Sequence, residues 1–314
     1  VSSPAYVTCP LNSTGVWRIM TEAFIAPLED RGVVAVTGPD AVKFLNGLVT
    51  NEIARLPEGM AAHAGLLSPQ GKILFDFLVV RTAEGFLLDV ARVKTGELVK
   101  RLGMYKLRAD VTISDAPDRY GVCAAWGADD ATVRASQDGI VFRDPRHAAM
   151  GARIVAPRAT GDAPSVDLNG ERGSAEAYHA HRVAIGVPEG GKDYEFGDAY
   201  PHEADFDVFN GVSFTKGCYV GQEVVSRMQH KTVVRKRVVR ITAEGALNPG
   251  SDITVNGIVI GRTGSVDGRS GLALIRLDRY AEATKAHDDV LAGDTRIRIH
   301  EADLARYMGS VSER

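Results

Sequence analysis

The sequence predicts an α+β protein of two or three domains that ends in a small antiparallel barrel. Three observations carry this reading. A chain of 314 residues exceeds what one ordinary hydrophobic core holds. Strand-like and helix-like runs are mixed, but the strands return repeatedly through hairpin signals, and neither a GxGxxG fingerprint nor a Walker loop is present, so a doubly wound nucleotide fold has no support. From residue 233 onward the strands become short and are punctuated by turn residues, the texture of a small barrel.

The elements follow in order. Residues 1–27 read as an N-terminal extension outside the fold: Val1 to Ile19 has no periodicity and no charge before Arg18, it lacks the basic start and long apolar core of a secretory signal, and Met20 opens a run that reads as a start. Val33 to Thr37 is a strand, Gly38-Pro39-Asp40 a turn with Pro39 suited to a first helical position, and Ala41 to Leu48 an amphipathic helix. His63 to Leu67 and Ile73 to Val80 are strands joined by the hairpin signal Ser68-Pro69-Gln70-Gly71-Lys72. Phe86 to Val90 is a strand and Thr95 to Tyr105 a helix. Val111 to Ser114, Tyr120 to Trp126, Gly139 to Arg143 and Gly151 to Val155 are strands. Ala159 to Glu171, rich in Gly, Asp, Pro and Asn, reads as an exposed loop. Ser174 caps a helix that runs to Ile185 and ends at Gly186-Val187-Pro188. Its His179 and His181 are two apart, share no helical face, and read as surface or satisfied histidines.

A boundary is expected near Thr232, which makes 28–232 an α+β region of two intertwined subdomains and 233–314 the barrel. Barrel strands are expected over Val233 to Ile241, Asp252 to Ile260, Gly271 to Arg276 and Thr295 to His300, with turns at Asn248-Pro249-Gly250, Asn256-Gly257 and Gly268 to Gly271.

Composition narrows the function classes. Hydrophobic residues make up 45% and charged residues 25%, ordinary for a globular protein. A formal net charge of −3 gives no basic footprint, so direct nucleic-acid binding is not expected. No apolar run approaches the ~20 residues of a membrane span. Cys9, Cys123 and Cys218 are scattered and form no CxxC, which argues against a disulfide framework and against a self-contained zinc or cluster site. Thiols used this way fit a reducing compartment, and the cytoplasm is the expected one.

The densest chemistry lies in Phe214 to Glu223, FTKGCYVGQE, which runs into VVSRMQHK. Gly217 and Gly221 permit unusual backbone angles and close approach of a ligand. A helix starting after Gly221 places Glu223 in its first turn and Arg227 four residues on, the favourable order for a pair. Cys218 then precedes a helix N-terminus and stands two residues from Lys216, both of which favour a thiolate. It is a candidate nucleophile, metal ligand or redox group; the competing reading is a small buried hydrophobe. Glu223 and Arg227 also suit a solvated helical pair. The basic run Arg227 to Arg240 suits the glutamate tail of a folate, an acidic or RNA partner, or a solvated strand edge.

KGCYVGQE resembles the signature of the folate-binding YgfZ family, relatives of the glycine-cleavage T-protein (aminomethyltransferase). The resemblance runs from about Leu28 to the C-terminus. It implies a multi-domain aminomethyltransferase-like fold and a tetrahydrofolate-binding protein that assists assembly or repair of iron–sulfur clusters in other enzymes, including a tRNA-modifying one. Its partners are then assembly or client proteins, with a transient cluster shared between partner cysteines and Cys218, since one cysteine cannot hold a cluster alone.

The resemblance also assigns residues. Cys218 and Asp76 carry any chemistry, and Lys216, Gly217, Tyr219, Gly221, Gln222, Glu223, Glu203, Arg182 and Arg227 bind the cofactor. Asp76 is the second aspartate of the relatives' GGxxDD-like hairpin strand, here Gly71-Lys72-Ile73-Leu74-Phe75-Asp76. Glu203 is set to accept from pterin donors, or else is an ordinary helix-start carboxylate. The relatives carry a glutamate two residues after the arginine matching Arg182; this chain has Ala184, which counts against the alternative function, a folate-dependent one-carbon (aminomethyl) transferase.

Overall fold

A computed structural model describes residues 23–116, 119–127, 133–135, 139–158, 166–168, 171–231 and 234–308. The expectations for Cys9 and for a start at Met20 fall outside the described residues.

The first sheet has five antiparallel strands in the order Ala61–Leu67, Ile73–Thr82, Gly85–Ala91, Arg31–Thr37 and Thr112–Asp115. Strand side chains alternate between faces. One face carries Phe75, Phe77, Val79, Phe86, Leu88 and Val90, which bury against helices α1 (Ala41–Asn46) and α2 (Thr95–Lys106) through Leu45, Leu98 and Leu102. The other face carries Val33, Leu78, Val80 and Leu87, which pack on Ala26, Val122, Ala124, Trp126 and Val155 of a second sheet.

That second sheet has the order Glu171–Arg172, Phe24–Pro27, Tyr120–Trp126, Ala152–Pro157, Ile140–Arg143, and only its first pairing is parallel. Two expectations are corrected here. Phe24–Pro27 is a sheet strand bonded to Cys123–Trp126, so the extension cannot reach residue 27. Within the expected loop 159–171, Val166–Leu168 pairs with Val133–Ala135 as a two-stranded ribbon. The Val-Asp-Leu alternation was hidden by the Gly, Asp and Pro around it.

Helix α3 (Ala175–Ile185) starts where Ser174 Oγ accepts from the Ala177 N–H and stops at left-handed Gly186. Helix α4 (Gln222–Lys231) follows the cysteine loop. The chain then forms a closed six-stranded barrel in the order Lys236–Ala243, Ser270–Arg276, Ile258–Asp267, Asp252–Val255, Val290–Ala292, Thr295–Ile299. The expected strand Asp252 to Ile260 breaks at the Asn256-Gly257 turn, where both φ angles are positive, as a two-residue hairpin requires. Helices α5 (Leu277–Ala286) and α6 (Glu301–Met308) were not anticipated: each is a short amphipathic run, such as Leu277, Tyr280 and Ala283 at a spacing of three, set among strand and turn signals.

Arg182 of α3 ties the sheets to the barrel. It is wholly buried; its Nη1 donates to Asp193 Oδ2 and to the Val187 carbonyl, both at 2.6 Å, and its Nη2 to Ser265 Oγ of the barrel at 2.6 Å. Removing one member of a buried pair strands its partner's charge. Arg182→Ala is therefore expected to lower the unfolding free energy by about 3–5 kcal/mol, whereas Arg227→Ala, on the exposed face of α4, lowers it by about 0.5 kcal/mol or less, both read from urea titrations.

Candidate functional site

The period-two alternation that buries Phe75 and Phe77 toward the helices turns Asp76 the other way, into the space between the sheets. Register places His63 opposite Leu78 and Leu78 opposite Asp89, so His63, Asp76, Asp89 and Arg31 share that inner face. Arg153 enters from the second sheet, Asp144 and Arg146 from the turn after Ile140–Arg143, and Glu189 and Tyr194 from the segment after α3.

These charges are paired. Arg31 Nε donates to Asp89 Oδ1 at 2.7 Å and its Nη2 to the Asp89 carbonyl at 2.7 Å. Asp144 accepts from Arg146 Nε and Nη2 at 2.9 and 2.6 Å. Arg153 Nη2 donates to Tyr178 Oη at 2.6 Å, and its Nη1 lies 3.3 Å from Asp89 Oδ2 without hydrogen-bond geometry. Burial alone raises the Glu189 carboxyl, but Arg182, Arg31 and Lys192 outweigh it and bring it down to about 2. Burial, reinforced by Arg146, pushes His63 down to about 4, and its Nδ1–H donates to the Phe209 carbonyl at 2.9 Å.

Asp76 differs from Asp89, Asp144 and Glu189 in having no ion-pair partner among the described residues. Its Oδ2 accepts from the Gly190 N–H at 3.0 Å and from the Tyr194 hydroxyl, but its Oδ1 is buried with no partner. A buried carboxylate oxygen in that state is costly and is an acceptor waiting for a donor. It lines a cavity of about 10 Å³ with Arg31, His63, Arg146 and Glu189, room for about one water. Tyr194, whose hydroxyl bonds Asp76 Oδ2, lines a larger cleft of about 530 Å³ between residues 192–198 and the barrel.

The cysteine loop lies elsewhere on the hairpin. Lys216 turns inward and donates to the carbonyls of Asn46, Val49 and Asn51 at 2.7, 2.7 and 2.8 Å. Burial lowers its pKa to about 8. Gly221, at φ +81°, sits against the hairpin turn: a Cβ there would meet Ser68 O at 2.7 Å and Gly71 Cα at 3.0 Å. Tyr219 and Val225 pack with Leu67 and Ile73. Between these anchors Gly217 and Cys218 are exposed.

The structure therefore separates the expected site residues. Cys218 is presented to solvent rather than sealed in a core. The Lys216 ammonium donates to three backbone carbonyls, and α4 begins at Gln222, directly after Gly221 as expected. Tyr219 is a core residue whose burial raises its pKa to about 12. Glu203 Oε2 accepts from the Tyr200 N–H at 2.9 Å and so serves its own turn. Glu223 and Arg227 pair with each other at 3.0 Å on an exposed face. Arg182 is a clasp, and Ala184 is exposed, so a glutamate there would not face the cavity. Asp76 alone reaches the inter-sheet cavity. His63, Arg31, Asp89, Arg153, Glu189 and Tyr194 were missed. A charge set inside an apolar strand, as in Phe75-Asp76-Phe77 and Leu88-Asp89-Val90, is the signal that finds such residues. Among the described residues no group of three or more His, Cys, Asp or Glu is placed to hold a metal ion.

One antiparallel sheet, one mixed sheet and a closed barrel form the aminomethyltransferase plan. The solved glycine cleavage system aminomethyltransferase T from Bartonella henselae matches with a TM-score of 0.68 over 90% of this chain and 86% of that one, at 18% identity. Residues 13–137 match the GCVT N-terminal domain and residues 235–307 the CAF17 C-terminal beta-barrel domain. The mouse mitochondrial iron-sulfur cluster assembly factor IBA57 is 37% identical over 276 residues, covering 79% of this chain and 76% of that protein; the human one is 36% identical over 273 residues with the same coverage. The chain belongs to the IBA57 family of iron–sulfur cluster assembly factors. These relatives are named as mitochondrial, which overturns the expectation of a cytoplasmic location. Unpaired thiols mark a reducing compartment without distinguishing one from another.

Two outcomes follow from this geometry. Gly221→Ala is expected to cost about 1–3 kcal/mol in urea unfolding, since both its φ and the contact with Ser68 resist a side chain, while Gly217→Ala, with nothing within 4 Å of its Cβ, costs about 0.5 kcal/mol or less. The unfolded His63 imidazole protonates below 6.5 but the folded one only below about 4. Between those values the unfolded state binds more protons, so stability falls as pH is lowered through the window, by up to about 3 kcal/mol. His63→Asn, which keeps a donor for Phe209, is expected to show a shallower acid slope in urea titrations across that range.

Proposed function

We propose that the protein serves iron–sulfur cluster assembly by presenting Cys218 to a partner, and that it binds tetrahydrofolate. The exposed sulfur on an immobilised loop is the observation that carries the reading. One thiolate supplies one ligand, so a cluster at this position is shared with cysteines of an assembly or client protein. The KGCYVGQE loop is read as the YgfZ-type signature, and the clients then include a tRNA-modifying enzyme. Family membership supports the assembly role; the folate is supported by the aminomethyltransferase-like fold and by the unpartnered Asp76 oxygen.

Pterin N–H groups are the kind of donor Asp76 Oδ1 lacks. The inner cavity is too small for a pterin as it stands, whereas the 530 Å³ cleft has the size of a ligand site. Folate is therefore assigned to the cleft, and its pterin reaches Asp76 once Tyr194 gives way. The Gly190-Gly191 turn beside it, with Gly191 at φ +80°, is the natural place for that change. The chain's own residues then bind and orient the ring, and Tyr194 and the sheets exclude water.

The second reading, a folate-dependent one-carbon transferase, rests on Asp76 alone. Turnover of labelled methylene-tetrahydrofolate by the purified protein supports it; folate binding without turnover of any donor supports the assembly role.

Cys218→Ala is expected to retain wild-type stability and folate affinity but to fail to restore cluster-enzyme activity in a deletion strain. Full rescue removes Cys218 from the function. Asp76→Asn is expected to weaken folate binding by about tenfold in a fluorescence titration, and an unchanged affinity removes the folate site from this cavity.

A further inference from the structure

One surface has no part in either site. The stretch 92–108, RVKTGELVKRLGMYKLR, carries six cations and one carboxylate in a chain whose net charge is −3. The carboxylate, Glu97, is already paired with Lys94, and Arg92 with Glu29. Lys100, Arg101, Lys106 and Arg108 have no ion-pair partner among the described residues. Helix α2 buries Thr95, Leu98 and Leu102 and turns Lys100 and Met104, four residues apart, to solvent.

Among these cations stand three large apolar side chains: Val93 is 90% exposed, Leu107 is 89% exposed and Met104 is 68% exposed. Leu107 closes α2 at φ +43° and ψ −107°. A side chain is strained there, and glycine is the residue that relaxes a helix end of this kind. The chain keeps a leucine where glycine suits the backbone, and it points that leucine into water. Folding alone does not explain the choice.

We propose that this face docks the protein on an anionic lipid surface. Charge complementarity names the partner's sign. The arrangement of the apolar groups names its kind: Val93, Met104 and Leu107 stand singly and line none of the clefts described above, so they suit the deformable boundary between headgroups and acyl chains rather than a shaped protein surface. Long basic side chains beside them reach headgroup phosphates while their stems stay apolar. This is attachment in the plane of the interface; among the described residues no helix is long and apolar enough to cross a membrane.

Co-sedimentation of the whole protein with vesicles of phosphatidylcholine containing roughly one-fifth phosphatidylglycerol tests the assignment. Binding is expected at low salt, absent from pure phosphatidylcholine, and lost near ~0.5 M salt, where charges are screened. The Lys106→Glu, Arg108→Glu double variant is expected to weaken it on the order of tenfold or more. Leu107→Gly is expected to weaken it severalfold while leaving the melting temperature equal or higher, an outcome a structural role for Leu107 does not produce. No binding to the anionic vesicles, or binding that both variants leave unchanged, overturns the proposal. Capture of polyglutamate by this face without vesicle binding also overturns it and assigns the surface to an acidic protein instead.

Discussion

The charges between the two sheets constrain everything else in this molecule. Guanidinium groups cannot be left bare in an apolar space, so Arg31, Arg146, Arg153 and Arg182 each require a carboxylate within reach. Meeting that requirement sets how far apart the sheets stand and where residues 189–194 lie. An apolar filling of similar volume contributes at least as much stability. The polar filling adds a space lined with hydrogen-bonding groups, in which one carboxylate oxygen of Asp76 remains unsatisfied.

The fold was legible where period and punctuation agreed. The Ser68 to Lys72 hairpin, the Ser174 cap and the switch to short strands near residue 233 each follow from local chemistry. Helices α5 and α6 were not legible, because a short amphipathic run beside Gly-rich turns reads as another strand. The strand at Phe24–Pro27 escaped for a different reason: its partner, Tyr120–Trp126, is about a hundred residues away, and no local signal reports that pairing.

The site was legible in part. Of the residues the motifs singled out, Cys218 is exposed at the surface and Asp76 lines the inter-sheet cavity. Neighbours in the same motif do not share the role, because motif spacing says nothing about which way a side chain turns. Lys216 shows this best: two residues from an exposed thiol, it is buried and ends among three carbonyls. The cavity residues are spread from Arg31 to Tyr194 and share no motif; only the pairing of strands collects them.

Gly71 and Gly221 meet backbone to backbone, so the thiol-bearing loop and the hairpin that carries Asp76 belong to one stiff body. Asp76 lies three residues beyond Ile73, where the strand starts, about 10 Å along it. Sulfur and cavity are thus spokes of a single rigid piece that never touch. On the proposed reading, a cluster donor comes to a sulfur whose place is set by the hairpin, and a ligand-driven shift of the hairpin moves that place.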